Sequence, residues 1–212
     1  KALYTADYSA PDMLHVVLVR SQLAHAKLLG IQIPSLPDGA YCYTAADIPV
    51  NVLPSIMNDQ PVLATEKVRY MGEPIAIVAA GTLEDAHFIA AQVQVDLEPL
   101  DVVEDMQAAL EPSSPCVFPA GNLCSEFHSE KGNILDDFSR CAFVLEETFE
   151  MPVQAHGFLE PDAAFTYRDE TGRLCLISST QNAFADRDMI AQVLQIPRER
   201  ITSKAATVGG GF

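Results

Sequence analysis

Val208-Gly209-Gly210-Gly211-Phe212 stands at the end of the sequence, and Ile201-Thr202-Ser203-Lys204-Ala205-Ala206-Thr207 leads into it as a predicted strand. Three glycines in a row remove every Cβ from a short piece of backbone, which can then adopt positive φ and let a ligand press against bare amides. A strand that feeds such a loop suits a phosphate, a pterin or another planar ligand. A Gly-Gly pair alone is most often a plain turn, so the meaning of the run depends on what precedes it.

Working outward, Leu174-Cys175-Leu176-Ile177-Ser178 is a second predicted strand, which delivers Ser179-Thr180-Gln181. It is the return arm of a hairpin whose turn is Asp169-Glu170-Thr171-Gly172. Between the two strands, Phe184, Arg187, Ile190, Val193 and Leu194 recur at helical spacing, and Pro197 closes the helix. Phe184 and Met189 are expected in the core. Consecutive parallel strands joined by a helix present their carboxyl ends on one edge. Gln181 and the Gly210-Gly211-Phe212 tip are therefore expected to meet.

Ser-Ser-Thr-Gln, a helix, Ile-Pro, a strand and Gly-Gly-Gly-Phe, in that order and with this spacing, resemble the molybdenum hydroxylases: xanthine dehydrogenases, aldehyde oxidases and their relatives. The resemblance implies roles as cofactor-binding residues for Gln181, Gly210, Gly211 and Phe212. Gln181 would lie beside the apical oxo ligand of molybdenum, touching the metal's ligands rather than the metal. A neutral amide suits that place, since it can donate without adding charge. Gly211 and Phe212 would contact the pterin. The family motif continues past Phe212, and its general base lies further downstream, so no catalytic residue is assigned within these residues.

The composition bounds the reading. The 212 residues suffice for two small domains or one large one, and 49% of them are apolar. The formal charge of −16 is spread along the sequence. It argues against nucleic acid and anionic membranes as partners. Cys42, Cys116, Cys124, Cys141 and Cys175 include no Cys-x-x-Cys pair and are odd in number. Neither a zinc or iron–sulfur site nor a disulfide framework is expected, and reduced thiols in the cytoplasm are the default. No apolar run has the length of a membrane span and no signal peptide is expected. The sequence opens on Lys1 and stops inside the family motif, so it is expected to be part of a longer polypeptide.

The first part of the chain reads as an α+β unit. Residues 14–19, 28–33 and 41–43 are predicted strands, with a helical turn over 44–47. Ile75-Ala76-Ile77-Val78-Ala79-Ala80 is a continuous apolar run typical of a buried strand. Gly81 breaks it, and Thr82 with Asp85 three residues on caps a helix. Leu83, Ala86, Ile89, Ala90 and Val93 share one face of that helix. Val93, Val95 and Leu97 then alternate into a strand, which makes a β–α–β unit with one crossover. His25 has no second ligand at metal spacing and is read as structural. Glu66, Glu73 and Asp96 show no pattern that places two carboxylates around a cleft.

Arg69-Tyr70-Met71-Gly72-Glu73-Pro74-Ile75-Ala76 and Asp96-Leu97-Glu98-Pro99-Leu100 resemble the hammerhead domain of the same family. The expected organisation is a hammerhead-type domain over 1–105, a proline-punctuated linker over 106–125, and the start of a mixed α/β molybdopterin-binding domain over 126–212. Within the last, 142–150 is predicted as a long strand in a β-rich segment running to 181, and Asn133 as a helix cap. His156 and Glu160 are four residues apart, but Gly157 and Pro161 disfavour a helix and no third ligand is present. Both are read as structural or as supporting a metal's ligands.

The resemblance implies a molybdenum–molybdopterin cofactor, with the cytosine dinucleotide form as one option, and a [2Fe–2S] centre and FAD on other domains or subunits. It implies an oligomer acting on a small molecule, with water as the oxygen source. A purine-like N-heterocycle leads and an aldehyde is the alternative. A reading of a different class is a non-catalytic module that docks the iron–sulfur or flavin partner.

Overall fold

The computed structural model describes residues 2–54 and 57–211, and three sheets organise them. The fold class is α+β. Strand β1 (His15–Arg20), β2 (Ala26–Gln32) and β3 (Tyr41–Thr44) are followed by the short β4 (Lys67–Val68) and by β5 (Pro74–Ala80). Helix α1 (Leu83–Ala90) and β6 (Gln94–Pro99) complete the first part of the chain.

Strand β5 explains its own composition. It is the middle strand of the antiparallel sheet β1-β5-β3. Ala76, Val78 and Ala80 point toward Val19, Ala86, Ile89 and Val93. Ile75, on the other face, packs with Ala26, Ala64 and Val68. A strand buried on both faces needs a continuous apolar run, which is what the sequence carries. Thr82 caps α1 by accepting from the Asp85 amide at 3.0 Å, and its hydroxyl donates to the Asp85 carboxylate at 2.6 Å.

Two expectations change here. The predicted β–α–β unit is not a parallel crossover, because β6 joins the other antiparallel sheet, β4-β2-β6. Both edges of β5 are already occupied by β1 and β3, so no edge remains for β6 to join. Leu83, predicted on the buried face of α1, is half exposed, whereas Ala86 and Ile89 are buried.

The stretch after β6 lies against the first part of the chain. A one-turn helix, α2 (Met106–Ala109), is capped by Asp105. Asn122 then ties the following loop together: its Oδ1 accepts from Val117 N at 2.9 Å, and its Nδ2 donates to Ala109 O and Pro115 O at 3.0 Å each. The Arg69 guanidinium lies 5.1 Å from the Phe118 ring centroid and pairs at 3.1 Å with the buried Glu73.

Helix α3 (Ile134–Arg140) is capped by Asn133, as read from the sequence. The predicted strand over 142–150 is absent. Phe143, Leu145 and Phe149 are exposed, and no described residue pairs with this stretch. A strand is realised only against a lateral neighbour, and an apolar sequence without one does not form a ladder. The sheet begins instead at β7 (Ala164–Arg168), which pairs antiparallel with β8 (Leu174–Ser178). Helix α4 (Ala183–Leu194) then crosses over to β9 (Ile201–Ala205), which pairs parallel with β8. This is the strand–helix–strand unit expected from the sequence.

Candidate functional site

The parallel pair β8/β9 sets the site. Leu174 lies opposite Ile201, and Ser178 lies opposite Ala205. One further bond, from Ala206 N to Ser178 O at 2.9 Å, extends the pairing past both strand ends. The chain after Ser178 and the chain after Ala205 therefore leave the sheet side by side.

The first of these two limbs is shaped by its own polar residues. Thr180 Oγ1 accepts from Asn182 N at 3.0 Å, and Asn182 caps α4 by accepting from Ala185 N at 3.1 Å. The Ser178 hydroxyl donates to Asp186 Oδ2 at 3.2 Å, which ties the strand end to the first turn of the helix. These bonds turn the backbone sharply and leave Gln181 exposed at the turn.

The second limb is the glycine run. Gly209 donates its amide to Glu160 Oε2 at 2.7 Å, and only 5% of Glu160 remains exposed. A Cβ added to Gly209 would lie 2.2 Å from that same oxygen and 2.7 Å from Leu159 Cβ. Glycine is required there by the approach of a side chain rather than by its dihedral freedom. A Cβ added to Gly211 would lie 3.3 Å from Gln181 Cδ. Gln181 and the glycine tip are thus brought together, as the crossover predicts. Phe212 lies outside the described residues.

A cavity of about 490 Å³ opens between the limbs. Gln181, Gly210, His156, Glu160, Asp186 and Met189 are among its lining residues. Met189 therefore faces the cavity instead of the core. Phe184 is also not a core residue: it is 74% exposed, and Arg187 sits over its ring at 5.4 Å. Helix α4 buries no residue fully, so its apolar spacing does not mark a core face.

The cavity carries Glu160, Asp162 and Asp186 and neither lysine nor arginine. An anionic group here would be held by amides and the start of α4 rather than by cations. Carboxylates accept hydrogen bonds from ring N–H groups, and the glycine amides donate to ring acceptors. The donor set fits a pterin, and Gln181 offers a neutral donor beside it. Among the described residues no cluster of three or more His, Cys, Asp or Glu is arranged to hold a metal ion directly.

The structure also brings in residues that the sequence did not single out. Asp186 and Asp162 border the cavity, and Thr5 reaches Ser179 from the far end of the chain. Asp186 was visible as an acidic residue in the first turn of a helix. Nothing in the sequence connects Thr5 to Ser179. His25, read as structural, accordingly lies away from the cavity and binds Asp101 O through Nδ1 at 2.7 Å.

Comparison with known proteins bears on the same regions. The family description "Aldehyde oxidase and xanthine dehydrogenase, a/b hammerhead domain" matches residues 1–101, and "Molybdopterin cofactor-binding domain" matches residues 117–212. The large molybdopterin subunit of nicotinate dehydrogenase from Eubacterium barkeri is 33% identical over 219 residues, covering all of this chain and 51% of that subunit. Quinoline 2-oxidoreductase from Pseudomonas putida 86 superposes with a TM-score of 0.85 at 29% identity, over the whole of this chain and 29% of that one. Aldehyde oxidoreductase from Desulfovibrio gigas superposes with a TM-score of 0.86 at 25% identity, over the whole of this chain and 25% of that one. The chain thus spans about half the length of the nicotinate dehydrogenase subunit and less of the two solved chains.

Proposed function

Because the chain belongs to the molybdenum hydroxylases, the family of the xanthine dehydrogenases and aldehyde oxidases, we propose that the cleft between Gln181 and the glycine run is one wall of a molybdopterin site. The enzyme it serves is an oxidoreductase that hydroxylates an electron-poor, purine-like N-heterocycle with oxygen from water. The observation that carries the reading is the convergence of Gln181 and Gly211 at the carboxyl edge of a parallel strand pair. Open α/β arrangements bind ligands at that edge. The substrate class draws support from relatives named for nicotinate and quinoline, both N-heterocycles. An aldehyde is the competing substrate, supported by the Desulfovibrio neighbour.

When bound, the cofactor supplies a Lewis-acidic metal that is also a two-electron redox centre. The residues of this chain would hold and orient it. Gln181 holds a neutral amide at the turn, able to donate to an oxo ligand without altering the charge of the site. Gly210 and Gly211 would present bare amides to the pterin, and Phe212 would shield it from water. Glu160 fixes the glycine run through Gly209. None of these residues takes a proton from the substrate, and the base is assigned elsewhere in the whole protein. In this division residues 1–105 form the hammerhead domain, 106–125 the linker and 126–212 the cofactor-binding part. The dinucleotide form of the cofactor, the iron–sulfur and FAD partners, an oligomeric assembly and a cytoplasmic location belong to the same proposal. The five free cysteines are consistent with the last.

Metal and pterin analysis of the purified full-length protein tests the assignment, followed by turnover on purines, pyridine carboxylates and aldehydes. Stoichiometric molybdenum with turnover of an N-heterocycle is expected. A protein that carries no molybdenum yet binds an iron–sulfur or flavin partner would replace this reading with that of a docking module.

A further inference from the structure

The two limbs of the cleft are not held by their own sheet alone. Residues 3–8, at the opposite end of the chain, run across the carboxyl edge of β8 and β9. Leu3 O accepts from Thr207 N at 3.1 Å, on the limb that carries the glycines. The Thr5 and Ser179 hydroxyls share a hydrogen bond of 2.9 Å, on the limb that carries Gln181. Tyr8 stacks on Phe165 of β7, with ring centroids 6.1 Å apart. Thr5 sits in a single 3-10 turn, Thr5–Asp7, which is pinned where Tyr4 N donates to Asp7 Oδ2 at 2.9 Å. Only 2% of Thr5 is exposed, so its hydroxyl has little water to turn to.

The parallel ladder ends at Ser178 and Ala206. Beyond that point nothing in the ladder fixes Thr207 relative to Ser179. Leu3 and Thr5 are two residues apart in one extended-to-helical turn, so the distance between their bonding groups is set by short, stiff backbone. We propose that this segment is a strap that sets the width of the cleft, with Thr5 as the positioning residue that places Gln181 relative to Gly211. The inference rests on the reading of the cleft as a cofactor site. It adds that a residue from the hammerhead part of the chain tunes the geometry of that site without touching the cofactor.

The test uses full-length protein with Thr5→Val, Thr5→Ser, Ser179→Ala and the double variant Thr5→Val with Ser179→Ala. Valine keeps the shape of threonine and removes the hydroxyl. Amide hydrogen exchange over residues 179–182 and 207–211 is measured on protein stripped of cofactor. Thr5→Val and Ser179→Ala should each speed exchange on both limbs by about five- to tenfold, the factor expected from one lost hydrogen bond. The double variant should exchange no faster than either single one, because the two residues share one bond. Thr5→Ser should restore the wild-type rate. In cofactor-loaded protein the Mo(V) paramagnetic resonance signal should change in Thr5→Val and recover in Thr5→Ser, a response that a general loss of stability does not produce. Unchanged exchange and an unchanged signal in Thr5→Val would overturn the strap. A wild-type protein without molybdenum would instead overturn the cofactor assignment, and the exchange result would still decide the strap.

Discussion

Glu160 and Gly209 lie 49 residues apart in sequence and are joined by a 2.7 Å bond from the Gly209 amide to the Glu160 carboxylate. The carboxylate occupies the space that a side chain at position 209 would need. Glu160→Ala should cost about 1–3 kcal/mol, since it leaves a partly buried amide without its acceptor. Glu160→Gln keeps an acceptor oxygen and should cost less. Gly209→Ala should cost about 1–3 kcal/mol through overpacking against Glu160 and Leu159. Urea unfolding of the three variants checks the order, and a Gly209→Ala variant as stable as wild type would contradict the contact.

Gln181 is exposed and caps nothing, so its removal should leave the fold intact. In the full-length enzyme Gln181→Ala should retain molybdenum and pterin while turnover falls about 10- to 100-fold, the range found for groups that orient a metal's ligands. Metal analysis beside steady-state kinetics gives the answer. Full activity would remove Gln181 from the site, and loss of the cofactor would make it a binding residue instead.

The Arg69–Glu73 pair lies beside Phe118, with Glu73 3% exposed. Glu73 also accepts from the Arg69 backbone amide. Glu73→Ala leaves the guanidinium without its counter-charge and should destabilise the protein by about 3–5 kcal/mol. Replacing both residues, as in Arg69→Met with Glu73→Leu, should recover most of that loss. Denaturant midpoints of the single and double variants separate the two outcomes.

Asp169 organises the β7/β8 hairpin. Its carboxylate accepts from Thr171 Oγ1 at 2.6 Å, Thr171 N at 2.9 Å, Arg173 N at 3.0 Å and Arg173 Nε at 3.0 Å. The Thr171 hydroxyl first, then the Arg173 groups, hold this carboxyl well below the usual carboxylate range. A folded-state pKa below the unfolded one stabilises the fold at neutral pH. That contribution is lost as pH falls through the ordinary carboxylate range and below it. Between about pH 5 and pH 2, wild type should lose more melting temperature than Asp169→Asn. Parallel melting curves across that window would exclude the role.

Much of this arrangement was readable in the residues. A strand buried on both faces announced itself at 75–80, and the 3.6-residue spacing after Gln181 fixed a crossover whose strands had to be parallel. The convergence of Gln181 and Gly211 followed from that handed geometry. The strand predicted over 142–150 failed because β propensity describes a surface that fits a neighbour, and no described residue supplies one. Phe184 failed because helical spacing shows that a face exists without showing what covers it. Pairing partners such as β2 for β6, or Ser179 for Thr5, leave no local mark. They are decided by which edges remain free once the sheets form.

The strap also has a consequence in time. The Thr5–Ser179 bond spans 174 positions of the chain. A ribosome making about 5–20 residues per second has the first partner in hand for roughly ten seconds or more before the second exists. Contacts of such separation repay their loop-closure entropy only after the segments between them have settled. The edge that carries Gln181 and the glycines is thus among the last features to reach its final form. Until then, the opening of the chain must wait without its partners.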